Sequence, residues 1–215
     1  MSHKERIAQR AAEELSPSSI INLGIGIPTL VANYLDKEQY IMHTENGMLG
    51  VTSVEEENID PLIVNAGKQP VGEAVGASYF DSAASFAMIR GSHVDVAILG
   101  ALQVDSEGLV ANWAIPGKNI IGVGGAMDLL VGAKKIIITT NHVAKDGSAK
   151  LVQECEYPIT SRRRADVIIT DLAVFHWRDE GYELTEVMEG SNIEEIKAKT
   201  KLSYRVHPSA MQKEG

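Results

Sequence analysis

The chain has 215 residues, 44% of them hydrophobic and 23% charged, with a formal net charge of −9. That is enough chain for one substantial core, so a single domain over residues 1–215 is expected, and the composition excludes a disordered protein. The acidic balance also excludes a nucleic-acid groove, because phosphates need a basic field to displace their counterions.

Residues 1–15 are charged throughout and lack an apolar stretch, so no secretory leader is expected there. Within them Ile7, Ala8, Ala11, Ala12 and Leu15 fall at helical spacing, which predicts an amphipathic helix packed on a sheet. Residues 18–23 are a short apolar run ending in glycine, and they read as a buried strand. Gly24-Ile25-Gly26-Ile27-Pro28-Thr29 follows, and helical spacing resumes over 30–35. Proline suits the first turn of a helix, where its missing N–H leaves no bond unmade. Further strands are expected over 40–43, 94–99, 109–115, 135–140 and 165–170, and helices over 82–90 and 126–131. Residues 173–187 read as a hairpin turning at Asp179-Glu180-Gly181, and 193–199 as a final helix. Strands alternating with helices indicate an α/β domain with a mostly parallel central sheet flanked by helices. The weakly polar stretch 120–133 is too short to span a bilayer and carries Asp128, so no membrane role is expected.

Cys155 is the only cysteine, which precludes an internal disulfide and points to a reducing cytoplasm. Between Glu154 and Glu156 its thiol pKa would rise, so it reads as a small packed residue and not as a nucleophile. Arg162, Arg163 and Arg164 read as a solvated rim. The six histidines include no i, i+4 pair and no Cys/His array, so no metal is expected. His142, with Lys145 and Asp146 close by, reads either as a residue reaching a cleft or as a loop histidine without chemistry.

Three loops bear on chemistry. Gly24 and Gly26 lie between a strand and a helix, where missing side chains let a ligand approach the backbone; the same pattern also serves a plain tight turn. The motif lacks the third glycine of a dinucleotide fingerprint and the lysine of a P-loop. Glu45 follows a strand and precedes Asn46-Gly47, a strong turn signal. At the carboxyl end of a parallel strand it would face a cleft as nucleophile, base or ligand; at an exposed hairpin tip it would do nothing. Gly122-Val123-Gly124-Gly125 precedes a short helix and could aim a backbone N–H at an oxyanion or simply pack strand on helix. Asn112 and Trp113, beside Pro116-Gly117-Lys118, either line a cofactor channel or belong to the core.

Together these strings resemble the beta subunit of the class I coenzyme A transferases, the group containing the 3-oxoacid CoA-transferases. The resemblance runs through N-L-G-I-G-I-P-T-L-V-A at 22–32, E-N-G at 45–47, N-A-G-K at 65–68 and G-A-S-Y-F at 76–80. It continues in S-F-A-M-I-R-G at 85–91, A-N-W at 111–113, I-P-G-K at 115–118 and G-G-A-M-D-L at 124–129, and ends in A-K-D-G-S at 144–148 and T-D-L-A-V-F at 170–175. It implies an open α/β fold, Glu45 as the nucleophile that carries acyl and then CoA, and Gly125 as an oxyanion-hole N–H. It places Gly24, Gly26, Asn112 and Gly124 near coenzyme A, which is a substrate and not a tightly bound cofactor. It also implies an alpha subunit completing the site, in an A2B2 heterotetramer acting on an acyl-CoA and a small carboxylic acid. Thr44 stands where the family usually has serine, and residues 51–60, with Glu55, Glu56 and Glu57, depart from the family's glycine-containing continuation. Other readings are a CoA-thioester hydrolase, a sugar-phosphate isomerase-like or ligand-sensing α/β domain, and a non-catalytic assembly subunit.

Overall fold

The computed structural model describes residues 1–36, 38–118, 120 and 122–211. Ser2 and Glu5 close a capping box on α1 (His3–Ala12), which buries Ile7, Ala8 and Ala11. β1 (Ile20–Leu23) runs through Gly26 into the one-turn helix α2 (Ile27–Leu30) and a 3-10 turn (Val31–Tyr34). β2 (Ile41–Thr44) and β3 (Met48–Thr52) form a tight hairpin, and β4 (Gly72–Tyr79) follows an excursion over residues 53–71. Next come α3 (Ser82–Arg90), β5 (Val96–Gly100), a ribbon of β6 (Gln103–Val104) and β7 (Val110–Ala111), and α4 (Ala126–Gly132). β8 (Lys135–Thr139), β9 (Val167–Ile169), β10 (Ala173–Arg178), β11 (Gly181–Val187), α5 (Ile193–Lys199) and β12 (Tyr204–Val206) complete the order.

The main sheet runs β12-β11-β10-β9-β8-β5-β1-β2-β3-β4. Its centre, β9-β8-β5-β1-β2, is parallel, and antiparallel pairs join the flanking strands β10 and β3 to it. Within that centre β5, β8 and β9 are covered on both faces, which is why those strands are apolar without alternation. On β8, Ile136 and Ile138 enter the cluster built on α3, α4 and α5, while Ile137 enters the one built on α1 and α2. β1 feeds β2 on one side, yet its other neighbour is the later strand β5. The carboxyl ends of β1 and β5 therefore form a topological switch point, where open α/β sheets bind ligands.

Several expectations are corrected. The helix expected over 30–35 starts earlier and is short, ending in 3-10 geometry, because Gly26 at φ +95° turns the chain directly into Ile27. The strand expected over 109–115 shrinks to Val110–Ala111. Trp113 is half-buried and outside both apolar clusters. In the arginine run Arg162 and Arg164 are exposed as a solvated rim would be, Arg164 over the Trp177 ring at 4.8 Å, whereas Arg163 is half-buried and pairs with Asp166 at 2.8 Å. The hairpin at 179–181 forms as expected.

One polar knot ties α1 to the sheet. Glu14 accepts from Arg10 (3.0 Å) and Lys135 (2.8 Å), and its other contact is His176 Nε2 (3.0 Å). Burial would raise the Glu14 pKa, but the hydrogen bonds from His176 and Lys135 outweigh it and hold the carboxyl well below the usual range.

Candidate active site

Glu45 occupies the turn between β2 and β3, at the carboxyl end of a parallel strand. The turn is short because Gly47 takes φ +123°, and a Cβ there would fall on the carbonyl oxygen of Phe80. Thr44 Oγ1 donates to Asn46 Oδ1 (2.6 Å) and accepts from the Ala66 N–H (3.0 Å), while Asn46 Nδ2 donates to the Val64 carbonyl (2.8 Å). The hydroxyl is thus what position 44 uses, and threonine supplies it as serine would. These bonds fasten the 64–66 stretch against the Glu45 turn, and that stretch adjoins the first glycine loop: a Cβ on Gly67 would lie 3.6 Å from Ile25 Cγ1.

Beneath the turn, His43 is buried with its ring nitrogens against Asn22 Nδ2 (3.0 Å) and Ser85 Oγ (3.1 Å). Burial lowers its pKa to about 4, so it is neutral and acts as a hydrogen-bonded strut. Asn22 belongs to β1 just before Gly24, and Ser85 to α3, so one imidazole links three elements of the site.

Facing the turn, Gly125 caps α4 and lies directly against the Glu45 carboxylate, where its backbone N–H favours the ionised form. A Cβ built on Gly125 would lie 2.7 Å from Glu45 Cδ and 3.0 Å from Oε1, so only glycine admits the carboxylate so close. Burial raises the Glu45 pKa, the Gly125 bond opposes that, and Asp128 adds a further upward push. Glu45 is half-buried against Gly125 and is not at a bare hairpin tip.

The other expected residues lie on the loops that follow β1 and β7 and within residues 122–124. Gly26 and Gly124 have positive φ (+95° and +51°) with open space where a side chain would be. Gly24 is packed instead: its N–H bonds the Ile98 carbonyl at 2.8 Å, and a Cβ would sit 3.2 Å from that oxygen. Asn112 has its carboxamide engaged within the fold, accepting from Thr160 Oγ1 (2.7 Å) and donating to the Gly100 carbonyl (3.3 Å) at the end of β5. It braces the switch point.

His142 does not reach the cleft. It is fully buried, bonded to Thr170 Oγ1 (2.9 Å) and Thr200 Oγ1 (2.8 Å), and burial lowers its pKa to about 4. The residues that sequence reasoning left out are Lys150, Arg90 and the roles of Thr44 and Asn46 as tethers. Lys150 Nζ donates to the Ala101 carbonyl (2.8 Å) and to Thr140 Oγ1, at the carboxyl ends of β5 and β8. Burial lowers its pKa. Its flanking sequence, Ser-Ala-Lys-Leu, carries no signal for that position. Cys155 Sγ lies 3.6 Å from the Leu109 carbonyl, and burial, with Asp105 beside it, pushes the thiol up to about 12. Among the described residues no His/Cys/Asp/Glu group is arranged to hold a metal, and no helix is long and apolar enough to cross a membrane.

Comparison with known proteins identifies the family. The coenzyme A transferase family model matches residues 4–199. The beta subunit of the acetate CoA-transferase of Escherichia coli K12 is 48% identical over 207 residues, covering 96% of this chain and 95% of that protein. Its counterpart in Haemophilus influenzae Rd, also an acetate CoA-transferase beta subunit, is 48% identical over 207 residues, covering 96% of this chain and 93% of that one. Among solved structures, an acyl-CoA transferase apoenzyme from E. coli O157:H7 superposes with a TM-score of 0.79 at 23% identity. That superposition covers 97% of this chain and 42% of the other, which supports the fold. A family match over most of the length, joined to relatives near half identity from end to end, makes this chain a member of the coenzyme A transferase family and an enzyme of that type.

Proposed function

We propose that the chain is the catalytic beta subunit of a CoA-transferase that moves CoA between a short-chain acyl-CoA, such as a 3-oxoacyl-CoA or succinyl-CoA, and a carboxylic acid. The observation that carries this reading is the Glu45 carboxylate seated under the Gly125 N–H. Relatives that match end to end are named as beta subunits, which supports a separate alpha chain as partner; the A2B2 stoichiometry and the cytoplasmic setting are part of the proposal.

A Glu45 oxygen attacks the thioester carbonyl carbon, the C–S bond breaks, and CoA leaves as thiolate with a mixed anhydride on Glu45. The thiolate then attacks Glu45 Cδ, the acid departs as carboxylate, and a glutamyl-CoA thioester remains. The acceptor carboxylate attacks Cδ and expels the thiolate. That thiolate takes the acceptor's acyl group and frees Glu45. Each attack on Cδ places negative charge on a Glu45 oxygen, and the Gly125 backbone beside the carboxylate offers its N–H to that charge with little reorganisation. Partial burial raises the energy of the carboxylate before attack and keeps water from the anhydride. Gly26 and Gly124 open backbone to the CoA chain, and Gly24 and Asn112 keep the switch point in shape for it.

The test is chemical. The chain copurified with its alpha partner is incubated with acyl-CoA and no acceptor, then treated with borohydride or hydroxylamine, and the modified peptide is mapped by mass. Labelling at Glu45, lost together with turnover in Glu45→Ala, supports the reading. No acyl-CoA-dependent label at Glu45 overturns it.

A further inference from the structure

Glu45 and Gly125 come from separate parts of the chain, and one helix touches both of their supports. At its start, the Phe80 N–H bonds the Gly47 carbonyl at 3.0 Å, so the nucleophile's turn seats on the head of α3, which Asp81 caps through the Ala84 N–H (2.8 Å). One turn on, buried Ser85 meets His43 at 3.1 Å. At its end, α3 touches α4 backbone to backbone: a Cβ on Gly132 would lie 2.7 Å from the Ile89 carbonyl carbon and 3.2 Å from Arg90 Cα. There Arg90 Nε donates to Asp128 Oδ1 at 2.6 Å, and the guanidinium lies 5.7 Å from the Phe86 ring centre. Asp128 sits one turn after Gly125, whose carbonyl accepts from the Leu129 N–H at 3.0 Å.

We propose that α3 is the gauge that sets the separation of Glu45 from Gly125, and that Arg90 is a positioning residue of the transferase, acting on both through Asp128. The inference rests on reading Glu45 as the nucleophile. Arg90 does two things at once. It locks the first turn of α4, and hence the Gly125 N–H, to α3. It also places a positive charge on the carboxylate that repels Glu45. The ionisable groups on the elements around the Glu45 turn are His43 on β2, Glu73 and Tyr79 on β4, Asp81 at the cap of α3, Arg90 on α3, Asp128 on α4, and Lys68 on the 65–68 loop. His43 is neutral, Glu73 accepts from the Tyr79 hydroxyl (2.7 Å), and Asp128 is the carboxylate that acts on Glu45.

The experiment uses the complex with its alpha subunit and three variants: Arg90→Gln, Asp128→Asn and the double substitution. Arg90→Gln is expected to lower kcat about tenfold, as a fraction-of-an-ångström misplacement would, with KM for acyl-CoA within about twofold. It should also move the acid limb of kcat/KM, which reports free-enzyme Glu45, to higher pH. Asp128→Asn should move that limb to lower pH, and the double variant should follow Asp128→Asn. A drop in melting temperature with both limbs unmoved would assign the pair to stability alone and overturn the proposal. If Arg90→Gln does not fold, the limb of Asp128→Asn decides by itself. Wild-type enzyme that labels at Glu45 while these variants keep normal profiles refutes this inference and leaves the nucleophile intact; absence of that label refutes the nucleophile.

Discussion

Gly125→Ala separates catalysis from stability. The glycine is buried and has φ −80° and ψ −3°, a right-handed helical conformation that alanine adopts freely. Where space allows, such a replacement stabilises by about 0.4–1 kcal/mol through the unfolded state. Here the added carbon would lie 2.7 Å from Glu45 Cδ, whereas ordinary contact begins at 3.4 Å. The carboxylate is on a side chain and can move, so the fold should survive, with stability changed by no more than about 1 kcal/mol. The N–H remains but no longer meets the glutamyl oxygen. Losing one such donor costs about 3–4 kcal/mol of transition-state stabilisation, or about 10²–10³ in kcat. The assay is acyl-CoA:carboxylate exchange by the assembled enzyme, run beside thermal melting of the same sample. A kcat within threefold of wild type would refute the argument, as would a collapse of the melting temperature.

Other outcomes follow from the same side chains. Because the folded-state pKa of Glu45 is raised, its charged form opposes folding at neutral pH and the cost vanishes as pH falls below the ordinary glutamate value near 4.5. Glu45→Gln should therefore melt higher than wild type at pH 7, with the gap closing in acid. Glu14 has the opposite sign: its depressed pKa gives stability present above the ordinary range and lost as pH falls through the folded value. Glu14→Gln should cost about 3 kcal/mol in denaturant melts at pH 7 by leaving Arg10 and Lys135 short of a partner, and much less in strong acid. His43 and His142 are buried neutral, so their contribution is complete above pH 6.5 and disappears as pH falls towards about 4. Each should account for up to about 3 kcal/mol of acid destabilisation in that window, and His142→Gln should flatten the stability profile correspondingly.

The parts of the fold legible in the sequence are those where local pattern and tertiary environment agree. β5, β8 and β9 are buried on both faces, so their apolar runs stand out, and Asn46-Gly47 marks the turn that holds Glu45. β4 reads Gly-Glu-Ala-Val-Gly-Ala-Ser-Tyr because it is an edge strand and mostly exposed; Val75 faces open solvent and nothing enforces alternation. β3 is broken by Gly50 at φ +89°, where its register with β4 shifts, so its five residues carry no period of two. The approach of Gly125 to Glu45 has no local signature, since it is fixed by the packing of α4 on α3. Family resemblance points to both residues, but only the fold shows that a carboxylate fills the space where the glycine lacks a Cβ. For Asn112, the residue type suggests ligand contact, and the carboxamide turns out to be spent on Thr160 and Gly100.

A protein that handles activated acyl groups faces a hazard from its own sulfhydryls, which would capture those groups and strand them. In this chain the sole thiol, Cys155, is tucked beside Asp105 and against the Leu109 carbonyl, and it stays protonated far above neutrality. A protonated sulfur is a poor trap for thioesters. Within this chain, Glu45 therefore has no competitor of that kind for the migrating group, and thiol-directed reagents used to probe the assembled enzyme should not lower its turnover through Cys155.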